Sequence, residues 1–79
     1  MELEQIFAKL TPIFQSVFDD DALVVKPETT AAQVEGWDSL SHLRLVLSVQ
    51  QAFKVKFSAS EISGLKNVGD LAQLVRAKL

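Results

Sequence analysis

A chain of 79 residues that is 48% apolar and carries a net charge of −2 can close one small core without a disulfide or metal staple. With no cysteine and a single histidine, it excludes disulfides, thiolate metal sites, cysteine nucleophiles and histidine-rich metal centres. No basic segment leads into an apolar one at the start and no apolar run reaches membrane-spanning length, so the expectation is a soluble, cytoplasmic protein without membrane insertion. The first predicted element is an amphipathic helix over residues 2–18, in which Leu3, Ile6, Phe7, Leu10, Ile13, Phe14, Val17 and Phe18 keep to one face. Thr11-Pro12 interrupts it, because proline removes a hydrogen bond and costs about 3 kcal/mol in a regular interior. The apolar phase continues through Pro12, so a kinked but near-continuous helix is expected.

Residues 19–37 then read as a long connection. Asp19-Asp20-Asp21 ends the first helix, Lys26-Pro27 disfavours another, and Gly36 marks a turn. The three aspartates lack the alternating spacing and closing glutamate of a calcium loop, so a solvated helix end outweighs a metal site. Leu23, Val24, Val25 and Val34 are expected to anchor this loop to the core. Loops of this length in small domains are uncommon and often functional.

A second helix is predicted over 39–53, with Leu45, Val46, Val49 and Phe53 facing inward and Leu40, Leu43 and Leu47 broadening the apolar surface. Lys54-Val55-Lys56-Phe57 alternates like a strand, but four residues without a partner favour a loop. Ser58-Ala59-Ser60-Glu61 is a capping-box sequence announcing a short helix that ends at Ser63-Gly64. Asn67 then caps a last helix over about 68–78, with Val68, Leu71, Ala72, Leu74, Val75 and Leu79 at helical spacing. Arg76 and Lys78 suit its C-terminal dipole. The expected fold is all-α, a four-helix bundle with three longer helices, a short third one and a long first loop, forming a single domain over 1–79.

The feature that carries chemistry is Asp38-Ser39-Leu40, after Gly36-Trp37 and at the start of the second helix. A serine there holds its hydroxyl toward solvent, where backbone N–H groups and the helix dipole favour an attached phosphate. Asp and Ser are also ordinary N-cap residues, and on three residues alone that reading would win. The setting decides: the long loop before, the helix after, and the short third and closing fourth helices together resemble an acyl carrier protein over nearly the whole chain. That resemblance implies a 4′-phosphopantetheine arm, derived from coenzyme A and attached to Ser39 by a phosphopantetheinyl transferase, with Asp38 helping that enzyme position its metal and the serine, and Leu40 completing the motif. It implies further partners, the enzymes that load and transfer acyl groups, and no catalysis by the carrier itself. Met1 and the lack of linker sequence suggest a stand-alone carrier, and a monomer is expected.

No base is placed to activate Ser39 as a hydrolase would, since His42 is expected as a satisfied helix-face residue. Fatty-acid carriers usually present acidic residues along the second helix. Here the expected exposed stripe is Ser41, Arg44, Leu47, Gln50 and Gln51, without a carboxylate. Seven acids in residues 1–37 oppose two lysines, and six bases in 38–79 oppose three acids, but most of that charge serves solubility. A specialised fatty-acid, lipid or polyketide-type carrier is therefore expected, with partners read by polar and apolar contact. Trp37 either meets those partners or anchors the loop. Leu43, Val46, Ile62 and Leu65 are candidates for lining an acyl cavity and equally good core residues. An aminoacyl or peptidyl carrier and a helical interaction module without cofactor are the alternatives. A DNA-binding helix-turn-helix is disfavoured by the net charge and a second helix poor in Arg and Lys.

Overall fold

The computed structural model describes residues 2–79; Met1, on which the expectation of a stand-alone chain rests, lies outside the described residues. Four α-helices carry the fold: α1 (Leu3–Val17), α2 (Ser39–Phe53), α3 (Ala59–Ser63) and α4 (Val68–Lys78). No strand forms among the described residues, and the one β-type contact is an isolated antiparallel bridge between Thr30 and Asn67. The all-α, four-helix arrangement expected from the pattern is present.

Helix α1 runs unbroken through Pro12. Pro12 and Ala8, whose carbonyl loses its usual donor, both lie on the exposed face, where water can replace the missing bond. The helix opens on a reciprocal box in which Gln5 Oε1 accepts from the Glu2 N–H at 2.9 Å. It closes with Asp19 in a left-handed conformation (φ 51°) while the Asp20 N–H reaches back to the Gln15 carbonyl at 3.0 Å. Asp20 Oδ1 then accepts from the Ala22 N–H, so the aspartate run turns the chain. Helix α2 ends in the same way, with Lys54 left-handed (φ 57°) and the Val55 N–H on the Gln50 carbonyl.

The core joins one face each of α1, α2 and α4. Ile6, Leu10 and Phe14 meet Leu45, Val49 and Phe53 on one side and Val68, Leu71, Ala72 and Val75 on the other. Of the four apolar residues expected to pin the long loop, Val25 and Val34 are buried and Leu23 packs against the core. Val24 does not: it is 68% exposed. Neighbours in an extended segment point to opposite sides, so burying Val25 turns Val24 outward. Within the loop, Ala31–Gln33 forms a 3-10 turn closed by a Thr30/Gln33 capping box.

The same loop closes the start of α4. The first N–H groups of that helix have no partner within it. Val68 N–H donates to the Thr29 carbonyl at 2.9 Å and Gly69 N–H to the Pro27 carbonyl at 2.8 Å. Asn67 Oδ1 takes the Asp70 N–H at 2.8 Å, which is the cap expected from the sequence. The loop is thereby fixed at its middle by α4, and its end delivers Gly36 to the head of α2.

Candidate functional site

Gly36 has φ 86°, a left-handed conformation that only glycine adopts without strain, and it reverses the chain into Trp37-Asp38. Asp38 is the N-cap of α2: its Oδ1 accepts from the Ser41 N–H at 2.8 Å while its carbonyl takes the His42 N–H at 2.8 Å. The Ser41 backbone N–H, aided by the Ser41 hydroxyl, holds the Asp38 carboxyl below the usual carboxylate range, so it stays ionised at neutral pH. Ser39 occupies the first helical position and is exposed. Its hydroxyl therefore stands at the positive end of α2, beside backbone N–H groups that no helical carbonyl can reach.

Trp37 turns the other way. Its ring meets Phe14 edge-on at 5.5 Å and Phe18 at 5.7 Å, which anchors the loop to α1. The indole Nε1–H donates to His42 Nδ1 at 3.0 Å. An indole nitrogen can only donate, so Nδ1 must be the bare nitrogen and the proton sits on Nε2, which faces the Ile62 carbonyl at 3.3 Å. Both ring nitrogens are thus committed, one to the loop and one to α3. Neither is free to take a proton from Ser39, and the expected reading of His42 as a satisfied helix-face residue matches this geometry.

Between Ser39 and α3 lies a cleft of about 390 Å³. Trp37, His42, Ile62, Leu65 and Leu71 supply its walls, and Asp38, Ser63, Lys66 and Asn67 lie along it. Of the four cavity candidates, the structure brings Ile62 and Leu65 to the cleft. Leu43 is 49% exposed and lies outside it, on the solvent-facing side of α2. Val46 is fully buried and also lies outside it.

The outer face of α2 carries Leu40 (67% exposed), Leu43 and Leu47, with Arg44 and Gln51 exposed among them and Ser41 half-buried. Arg44 is the only formally charged side chain along Ser39–Phe53. Gln50 leaves the expected stripe: its Oε1 accepts from the Phe57 N–H at 2.7 Å and ties the α2–α3 connection to the helix. Nothing in a glutamine at an exposed helical spacing announces that bond. The Trp37–His42 bond was likewise beyond sequence reasoning, although five residues separate the two. The Thr30-x-x-Gln33 box was there to be read.

Residues 8–75 match the family described as phosphopantetheine attachment site. An acyl carrier protein of Coprothermobacter proteolyticus is 29% identical over 79 residues, covering all of this chain and 96% of the relative. One of Prochlorococcus marinus is 27% identical over 78 residues, covering 99% and 98%. The solution structure of a holo acyl carrier protein from Geobacter metallireducens superposes with a TM-score of 0.85 at 51% identity, covering 91% of this chain and 83% of that one.

Proposed function

The chain belongs to the acyl carrier protein family, and on that premise we propose that Ser39 is the residue through which it carries its phosphopantetheine. Members of this family are carriers rather than enzymes, and the phosphopantetheine is held covalently. The single observation that supports Ser39 is its hydroxyl, exposed at the head of α2, capped by Asp38 and bordering an apolar cleft. The residues fit the group: free N–H groups at a helix start favour its phosphodiester, and the carbon-lined cleft favours what hangs from it. Bound there, the arm supplies a terminal thiol that holds acyl groups as thioesters.

The chain's own residues then divide the work. Asp38 keeps the Ser39 turn wound by capping α2 and leaves its second carboxylate oxygen for the metal of the phosphopantetheinyl transferase. Leu40 presents the apolar contact next to the serine. Leu47, Arg44, Ser41 and Gln51 extend that surface for the loading and transferring enzymes. A face of leucines with one guanidinium and no carboxylate selects partners by apolar fit, with acidic rather than basic groups opposite Arg44. This favours a specialised fatty-acid, lipid or polyketide-type pathway; the same reading takes the carrier as a single-domain monomer of the cytoplasm. Ile62 and Leu65 receive the attached chain, whereas Trp37 serves the loop before any partner.

Intact-mass analysis after incubation with coenzyme A and a broad-specificity transferase tests the assignment. The expected result is a gain of one phosphopantetheinyl group, absent in a folded Ser39→Ala variant. Addition that persists in the variant, or a wholly unmodified protein recovered from its own cells, overturns it.

A further inference from the structure

The cleft beside Ser39 stops short. Val46 is fully buried, yet it lies outside the main core cluster and one helical turn beyond His42 on the same face of α2. His42 lines the cleft and Val46 does not, and the imidazole is held from both sides: the Trp37 indole donates to Nδ1 at 3.0 Å, and Nε2–H reaches the Ile62 carbonyl at 3.3 Å. The cleft ends on the core, since Leu71, which lines it, is only 1% exposed. A chain entering from Ser39 therefore meets a polar bridge before it meets more carbon. The wall opposite is the easier one to move, since α3 is five residues long and buries none of them.

We propose that His42 is a specificity-determining residue that sets how deeply an attached chain can enter, its Trp37–His42–Ile62 bridge separating the open cleft from the Val46 position. The bridge makes this a carrier that shelters a short acyl segment and leaves the rest of a longer one in water. Passing the bridge requires breaking two hydrogen bonds and leaving a half-buried indole N–H and a carbonyl without partners, which opposes the gain from burying further methylenes. Each methylene taken from water shifts the sheltering equilibrium by up to about fourfold. A few methylenes therefore suffice to reveal where shelter ends. The inference rests on attachment at Ser39.

Wild type, His42→Ala and His42→Gln are each loaded with butyryl-, octanoyl- and dodecanoyl-phosphopantetheine from the corresponding coenzyme A esters. Intact mass confirms loading first, with Ser39→Ala as the chain that must stay unloaded, so a failure of that assignment shows before any comparison of shelter. The rate at which hydroxylamine cleaves the thioester is then measured against the same acyl-pantetheine free in solution. In wild type the protection is expected to rise from butyryl to octanoyl and to level off there. In His42→Ala it continues to rise to dodecanoyl, several-fold above wild type. His42→Gln, whose amide can accept from Trp37 and donate to Ile62, restores the plateau. Should His42→Ala fail to fold, the wild type still decides. The indole N–H resonance of Trp37, the sole tryptophan, is expected at one position for all three chains. Protection that climbs to dodecanoyl in wild type, an indole resonance that moves with chain length, or superimposable profiles in the variants overturns the proposal.

Discussion

The two sides of α2 are built differently. Toward α1 and α4 it packs carbon on carbon: Leu45 and Val49 are wholly buried against Ile6, Leu10, Phe14, Ala72 and Val75. Toward α3 polar bonds accompany the buried Val46, through His42 to the Ile62 carbonyl and through Gln50 to the Phe57 N–H, and α3 adds a 3.0 Å ion pair from Glu61 to Lys78 on α4. Close-packed apolar surface resists any displacement, whereas a five-residue helix that buries none of its side chains can shift without undoing a core. Ser39 stands at the junction, so a rigid scaffold fixes the serine while the wall facing it remains adjustable. That is the division a carrier needs if it must both present and shelter the same cargo.

The largest effect should come from cutting the scaffold. Phe14→Ala removes a fully buried ring that also supports Trp37 edge-on, and is expected to cost about 3–5 kcal/mol. In a domain of this size that approaches the whole stability. Ile62→Ala, on a half-buried residue of α3, should cost about 1 kcal/mol. Urea denaturation of both variants gives the comparison directly, and equal losses would mean that the two sides are not built differently after all.

Next in size is the seam between the long loop and α4. A Cβ added at Gly69 would sit 2.8 Å from the Pro27 carbonyl oxygen, a backbone atom already bonded to the Gly69 N–H. Gly69→Ala must push the loop away and is expected to cost about 1–3 kcal/mol. Faster amide exchange at Val68 and Gly69, with α3 unchanged, would place the damage on the scaffold side. Unaltered exchange at those two amides would show that the loop is not fastened there.

Much of this was legible beforehand, and the reasons differ by element. The helices follow from apolar periodicity, and the starts of α2, α3 and α4 from Asp38, the Ser58/Glu61 box and Asn67, because capping is a local matter between residues three apart. Val24 was misplaced because an apolar run in a loop does not say which of its members faces inward. The loop's carbonyl bonds to α4, the Gln50–Phe57 tie and the Trp37–His42–Ile62 bridge join elements whose mutual placement no local pattern encodes. Ser39 was singled out through motif and setting. The cleft it borders, and the exclusion of Leu43 from that cleft, required coordinates.

The smallest effect is expected from acid, and its location matters more than its size. Glu61 accepts from the Ser58 N–H at 2.8 Å and pairs with Lys78, and these contacts, the Ser58 N–H foremost, hold its carboxyl below the ordinary glutamate value. Asp38 is held low in the same sense by Ser41. A carboxyl whose folded pKa is depressed contributes stability that is complete above its unfolded value and is lost as pH falls through the folded one. Between neutrality and the ordinary carboxylate range nothing should change; below it, α3 and the head of α2 should loosen first. Glu61→Gln keeps a side-chain acceptor for the Ser58 N–H but ends both the ion pair and the titration, so it should flatten the acid response of α3 and leave that of Asp38 in place. Amide exchange at Ile62 and Leu65, followed against pH beside Leu10 and Phe14 in α1, measures this. If α1 amides accelerate in step with α3, acid is melting the whole fold, and the adjustable wall is no looser than the scaffold it faces.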